Sequence, residues 1–180
     1  MYIDSFVNIT SKAWAIPILS SLHDGIAGRQ APLLTATGAS RSAFKQSMNH
    51  LIKMSLLERN PGYGHPLRPE FRLTPLGIHA AAIANKIQNI VADEDQDLLR
   101  LSWTLPVLTS LHTSSRFNDI KRSLPSITDR ALSQSLKTME TRHWVCRSID
   151  DMARPPRSIY TAVNTGQLIG NTTAQEISFA

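Results

Sequence analysis

A mainly α-helical fold with small β-hairpins (α+β), built as two tandem copies of one unit, is predicted by three observations on this 180-residue sequence. An eleven-residue block, Ala13–His23, recurs as Ser102–His112. Each block is followed by two stretches with helical spacing and then by a pair of short strand-like stretches around a Gly- or Pro-rich tip. Basic charge is also distributed twice over. Residues 1–92 and 98–170 each carry a net +5, and residues 93–97 between them carry −4.

The repeat is the strongest of the three. Six of the eleven positions are identical: Trp14 and Trp103, Pro17 and Pro106, Leu19 and Leu108, Ser21 and Ser110, Leu22 and Leu111, His23 and His112. Downstream, Arg29 aligns with Arg116, Leu33 with Ile120, Arg59 with Arg147, Phe71 with Tyr160, and Gly77 with Gly166. Ser40–Met48 aligns with Thr128–Leu136. The boundaries that follow are a first domain over 1–92, an acidic connector over 93–97, a second domain over 98–170, and a tail over 171–180.

In the first copy, Trp14, Ile18, Leu19 and Leu22 predict a helix over 12–24, with Pro17 in its first turn, where a missing N–H costs little. A second helix is predicted over 30–37, with Pro32 near its start and Gly38 ending it. Ser40 reads as the N-cap of a third helix over 41–54 that places Phe44, Met48, Leu51 and Ile52 on one face. Leu56–Arg59 and Glu70–Leu73 then read as a hairpin, its tip running from Asn60 to Pro69. Thr74-Pro75 opens a long helix to about Ala92, rich in Ala, Ile and Val.

The second copy repeats this order. Helices are predicted over 98–112, over 116–123 with Ser115 as cap, and over 129–142 with Thr128 as cap and Leu132, Leu136 and Met139 inward. Trp144–Arg147 and Ser158–Val163 read as strands around a loop holding Pro155 and Pro156. Three helices followed by a hairpin is the order of a winged helix-turn-helix, so two tandem winged helix-turn-helix domains are expected.

Several classes are excluded by what is missing. The apolar stretches break within a few residues, so no membrane span is expected, and Met1-Tyr2-Ile3-Asp4 shows no secretory signal. The expected location is cytoplasmic. One cysteine, Cys146, rules out an intrachain disulfide and multi-Cys zinc, and it reads as a small buried residue beside Trp144 and Val145. The six histidines have no metal-ligand spacing, and neither a Gly-rich phosphate loop nor a nucleophile elbow occurs. No catalytic residue, metal or cofactor is therefore expected. His23 and His112, at predicted helix ends, read as capping residues.

A family resemblance rests on these residues. A Trp-x-x-x-x-Leu helix opening is followed by Arg116-Phe117-x-Asp119-Ile120. Leu124-Pro125-Ser126-Ile127-Thr128 then leads into Leu132-x-x-x-Leu136-x-x-Met139, and an aromatic-plus-Thr strand closes the wing. The pattern resembles the HxlR-type winged-helix transcriptional regulators, close to the MarR group, present as two tandem copies. The first copy shows the frame more loosely, but its Phe71-Arg72-Leu73-Thr74-Pro75-Leu76-Gly77 is very like that family's wing-to-helix junction. The resemblance implies double-stranded DNA as partner. Two departures matter: family members usually carry one unit per chain and pair as homodimers, and redox-sensing members have a cysteine ahead of the Trp helix, which this chain lacks.

The third helix of each copy is the expected reader of base edges, because it buries one face and leaves the other polar. Its outward residues are Arg41, Ser42, Lys45, Gln46 and Asn49 in the first copy, and Asp129, Arg130, Ser133, Gln134, Lys137 and Thr138 in the second. Arg can pair bidentately with guanine, and Gln or Asn with adenine. Gln46 and Gln134 hold the same repeat position. Arg29 and Arg116 are expected phosphate anchors at the second-helix starts, and the cap Thr128 is expected among the DNA-binding residues. Arg154 and Arg157, and His65, Arg68 and Arg72, are expected along the two wings, with Asp150-Asp151 opposing phosphate. The expected function is sequence-specific DNA binding by an intramolecular pseudo-dimer. A homodimer through the apolar residues Leu76, Ala80, Ile83, Ile87 and Val91 of the helix over 75–92 is also expected to be open to the chain. The alternative is a winged-helix protein–protein interaction module without specific DNA binding.

Overall fold

The computed structural model describes residues 1–60 and 69–179. The chain divides into two compact units, Asn8–Arg100 and Leu101–Ala180, the latter joined by Met1–Val7. They are called the N-terminal and C-terminal units below.

A helix for which the sequence analysis offers no expectation, α1 (Ile3–Thr10), comes first, burying Ile3, Phe6 and Ile9 at helical spacing. In the N-terminal unit, α2 (Ala15–His23) starts three residues later than the sequence predicts. Pro17 supplies the reason. It has no N–H for the carbonyl of Ala13, and its ring collides with that carbonyl in a helix, so the helix cannot extend back past Trp14. Next, α3 (Gln30–Thr37) ends on Gly38 in the left-handed region at φ 68°, whose N–H donates to the Leu34 carbonyl. Ser40 caps α4 (Arg41–Lys53), its hydroxyl accepting from the Ala43 N–H at 3.3 Å. Phe44, Met48 and Leu51 of α4 are buried as the periodicity predicts.

Ser55, with φ 56°, turns the chain after α4 into the antiparallel pair β1 (Leu57–Arg59) and β2 (Phe71–Leu73), with Leu57 opposite Leu73. Thr74 then caps α5 (Pro75–Ile90) by accepting from the Gly77 N–H at 3.0 Å. Helix α5 packs chiefly on α2. This corrects the expected pairing face, because Ala80, Ile83, Ile87 and Val91 are buried and, of the apolar residues named for it, only Leu76 is exposed. The acidic stretch is folded rather than extended. Asp93–Asp95 and Leu98–Arg100 form 3-10 turns, Leu98 and Leu99 are buried, and the Gln96 amide donates to the Val91 carbonyl at 2.8 Å. The Arg100 guanidinium stands over the Trp14 ring, 5.0 Å from its centroid.

In the C-terminal unit, the helix predicted over 98–112 shortens to α6 (Thr104–Ser110), every residue of which is buried. Pro106 stops it from reaching back past Trp103, as Pro17 does for α2. A short strand, β3 (Ser115–Arg116), leads directly into α7 (Phe117–Ser123). Ser115 is therefore not the cap: the N-cap residue is Arg116, with no side-chain cap bond, and Ser115 pairs with Tyr160 in the sheet. Thr128 caps α8 (Asp129–Thr141) by accepting from the Ala131 N–H at 3.2 Å, and Leu132, Leu136 and Met139 are buried.

His143, also at φ 56°, turns the chain into the hairpin β4 (Val145–Asp150) and β5 (Arg157–Ala162), which with β3 forms a sheet of order β3-β5-β4. The first strand is longer than predicted and the second begins one residue earlier, so the loop shrinks to residues 151–156. Cys146 is exposed, against expectation. Strand alternation explains this: Val145, the first residue of β4, fills the core, and the next side chain turns to the opposite, uncovered face.

Helix α9 (Asn164–Ala174) follows and packs chiefly on α6, with the Thr109 and Thr173 hydroxyls 2.9 Å apart in the buried seam. The stretch read as a tail continues α9, buries Thr173 and Ile177, and pairs Ser178 with Tyr2.

Two glycines lock the last helix of each unit to its wing. A Cβ on Gly77 would lie 1.9 Å from the Leu56 carbonyl oxygen, and one on Gly166 would lie 2.2 Å from that of Trp144. Neither position has room for any side chain.

Candidate nucleic-acid interface

In the C-terminal unit the exposed face of α8 carries Arg130, Ser133, Gln134 and Lys137, with Thr138 half-buried at its edge. The Gln134 amide donates to the Thr138 hydroxyl at 3.4 Å. Asp129, at the first position of α8, takes the ammonium of Lys121 from α7, which ties the two helices at their junction. Thr128 already uses its hydroxyl oxygen as the cap, and its O–H can still donate outward.

Strand β3 gathers basic residues of α7 and the hairpin. By pairing Arg116 with Ile159, it draws the start of α7 to β5, the strand that begins with Arg157. Arg116, Asn118, Arg122, Arg157, Ser158 and Tyr160 then line one open cleft of about 520 Å³. Arg116 and Arg157, singled out separately in the sequence, thus come together. Arg122 was not singled out. Its signal was present, but a basic residue in the last turn of a helix is ordinarily accounted for by the helix dipole, and only the fold shows that it faces the wing. Two of these guanidiniums are engaged: Arg116 with Asp150 at 3.2 Å and Arg122 with Asp119 at 3.2 Å. Asp150 is thereby charge-compensated rather than aimed outward, while Asp151 is exposed. Arg154 lies exposed in the tip between β4 and β5.

The N-terminal unit presents Arg41, Ser42, Lys45, Gln46 and Asn49 on the exposed face of α4. Arg29 is the N-cap residue of α3, in an extended conformation, and its Nε lies 3.4 Å from the Glu70 carboxylate. The Phe71 N–H donates to the Gly28 carbonyl at 2.8 Å, so the wing strand and the start of α3 are joined through backbone as well. Arg72 pairs with Glu58 across the hairpin at 2.7 Å. His65 and Arg68 lie outside the described residues. The His112 Nδ1–H donates to the Thr109 carbonyl at 3.0 Å at the end of α6, and His23 is exposed.

Among the described residues, no group of three or more His, Cys, Asp or Glu side chains is placed to hold a metal ion. Among them too, no helix is long and apolar enough to cross a membrane.

No curated protein matches the chain. Among solved structures, the chain is similar to the reduced form of the transcriptional regulator YodB from B. subtilis. The identity is 24%, covering 46% of this chain and 81% of that one, with a TM-score of 0.41. Residues 98–176, the stretch that contains α6 to α9 and the β4–β5 wing, match the HxlR-like helix-turn-helix family.

Proposed function

We infer that this chain is a transcriptional regulator that binds duplex DNA sequence-specifically, its two units acting as an intramolecular pseudo-dimer. The observation that carries the reading is an exposed polar α8 face and an arginine-lined cleft, both inside the stretch that matches a helix-turn-helix family. In this reading Arg130, Ser133, Gln134 and Lys137 meet base edges, and Arg116, Thr128, Arg154 and Arg157 meet phosphate. The Arg116 and Arg122 ion pairs do not oppose this. Exposed pairs are worth only about 0–1 kcal/mol, so a phosphate oxygen can displace the carboxylate.

The N-terminal unit is proposed as a second copy of the same device. Arg41, Ser42, Lys45, Gln46 and Asn49 would read bases, and Arg29 and Arg68 would hold phosphate. Matching local solutions support this. Ser40 and Thr128 cap the third helices in the same way, Ser55 and His143 share a left-handed turn, and Gly77 and Gly166 meet the same carbonyl position. Arg29 and Arg116, both N-cap residues of second helices, each pair with a wing carboxylate.

The test is selection of duplexes from a randomised pool by the full chain, followed by scrambling each half of the recovered site. Loss of affinity from either half supports two reading heads, and no loss from one half removes the pseudo-dimer. Affinity should also fall with salt, with a log–log slope of about −0.9 per phosphate neutralised. A salt-independent response, or no duplex recovered, would replace DNA with a protein partner.

A further inference from the structure

The β4–β5 hairpin ends in a feature that phosphate contact does not explain. Both faces of β4 are exposed from Cys146 to Ile149, so the hairpin runs out beyond the core of its unit. At its far end Met152 is 94% exposed and Ile149 is 61% exposed. Scattered apolar side chains on a surface are ordinary. Here, however, two large ones stand near the end of the hairpin, among three arginines, two prolines and the carboxylates of Asp150 and Asp151. Arg154 and Arg157 follow Met152, with Pro155 and Pro156 between them, and Arg147 lies on the same hairpin. Of the two tip carboxylates, Asp150 is occupied by Arg116. The charge therefore selects a polyanion over an apolar protein surface.

An apolar tip among arginines is what a minor-groove wedge requires. The minor groove is narrow and strongly negative, so it admits arginine and one thin element. Methionine or isoleucine side chains pushed between base pairs unstack a step and kink the duplex. Resting on the DNA-binding reading above, we propose that the hairpin tip enters the minor groove and that Met152, backed by Ile149, wedges into a base step and bends the DNA. Arg154 and Arg157 hold the flanking phosphates. The step must be one that opens easily, so a pyrimidine–purine step is selected at the tip although no side chain reads its base edges. Asp151, exposed beside Met152, opposes entry and limits how tightly the tip binds.

The experiment uses the full chain and a duplex it selects from a randomised pool, with the site circularly permuted to report bending by gel mobility. The parent chain is expected to bend its site by about 20–90°. Met152→Ser should remove most of that bend while lowering affinity less than tenfold, and Asp151→Asn should raise affinity severalfold at low salt. 2-Aminopurine at the step should brighten on binding to the parent and stay quenched with Met152→Ser. An unbent complex, or an equal bend with Met152→Ser, overturns the wedge and leaves DNA binding intact. Failure to recover any duplex overturns DNA binding itself. A change in self-association with Met152→Ser, with bending unaltered, assigns the tip to a second copy of the chain instead.

Discussion

Arg116 holds two positions at once: it is the N-cap residue of α7 and a member of the strand that joins α7 to the wing. Its guanidinium rests on Asp150, which is 24% exposed, so the pair is partly screened and is broken at low cost. Arg116→Ala should weaken DNA binding and reduce the salt slope by about 1. Asp150→Asn should strengthen binding, because the arginine stays and the competing charge goes. Titrating a selected duplex at several salt concentrations checks both, and equal effects of the two substitutions would remove Arg116 as a phosphate contact. Gly166 makes a different kind of demand. An added Cβ would meet the Trp144 carbonyl, and backbone cannot move aside as a side chain can. Gly166→Ala should therefore cost roughly 3 kcal/mol, the upper end of overpacking penalties, seen as a lowered urea midpoint.

At the scale of the element, capping separates what was legible in the sequence from what was not. Ser40 and Thr128 stand where the sequence puts them, because a hydroxyl before an amphipathic stretch has one obvious task. Replacing either with alanine should cost about 1 kcal/mol, and the two losses should add in the doubly substituted chain if the sites are independent. Chemical denaturation of both single variants and the double variant measures this. Ser115 looked like a third cap, but pairing with Tyr160 depends on a strand more than forty residues away, which local spacing does not reveal. The helix starts at Ala15 and Thr104 were readable in principle, since each proline sets how far back its helix can run. Cys146 and the α5 face were misjudged for one reason. Periodicity tells which residues are apolar, but not whether core is still available to cover them.

For the whole molecule, the two proposed reading faces differ more than the frames that hold them. Gln46 and Gln134 agree by repeat position, whereas Arg41, Ser42, Lys45 and Asn49 stand against Asp129, Arg130, Ser133 and Lys137. An asymmetric site is therefore expected. Writing the first set onto α8, as Asp129→Arg, Arg130→Ser, Ser133→Lys and Lys137→Asn, should convert the selected site into two like halves. All four residues are exposed, so the variant should fold, and only the Lys121 pair with Asp129 is lost. Selection from a randomised pool is the readout. An unchanged site would mean that these side chains do not read bases.

The contact between Gly166 and Trp144 also fixes where the wing can yield. At its root, β4 is held by that close approach and by the Val163 N–H donating to the Trp144 carbonyl at 2.9 Å. From Cys146 to Ile149 the side chains of β4 are exposed on both faces. Mechanically the hairpin is a cantilever, clamped at Val145 and Ala162, braced along β5 by β3 at Ile159 and Tyr160, and free only beyond Asp150. Amide exchange should follow that gradient, slowest at the clamp and fastest at the free end. A load applied at the tip would then flex the ribbon and leave α9 where it is.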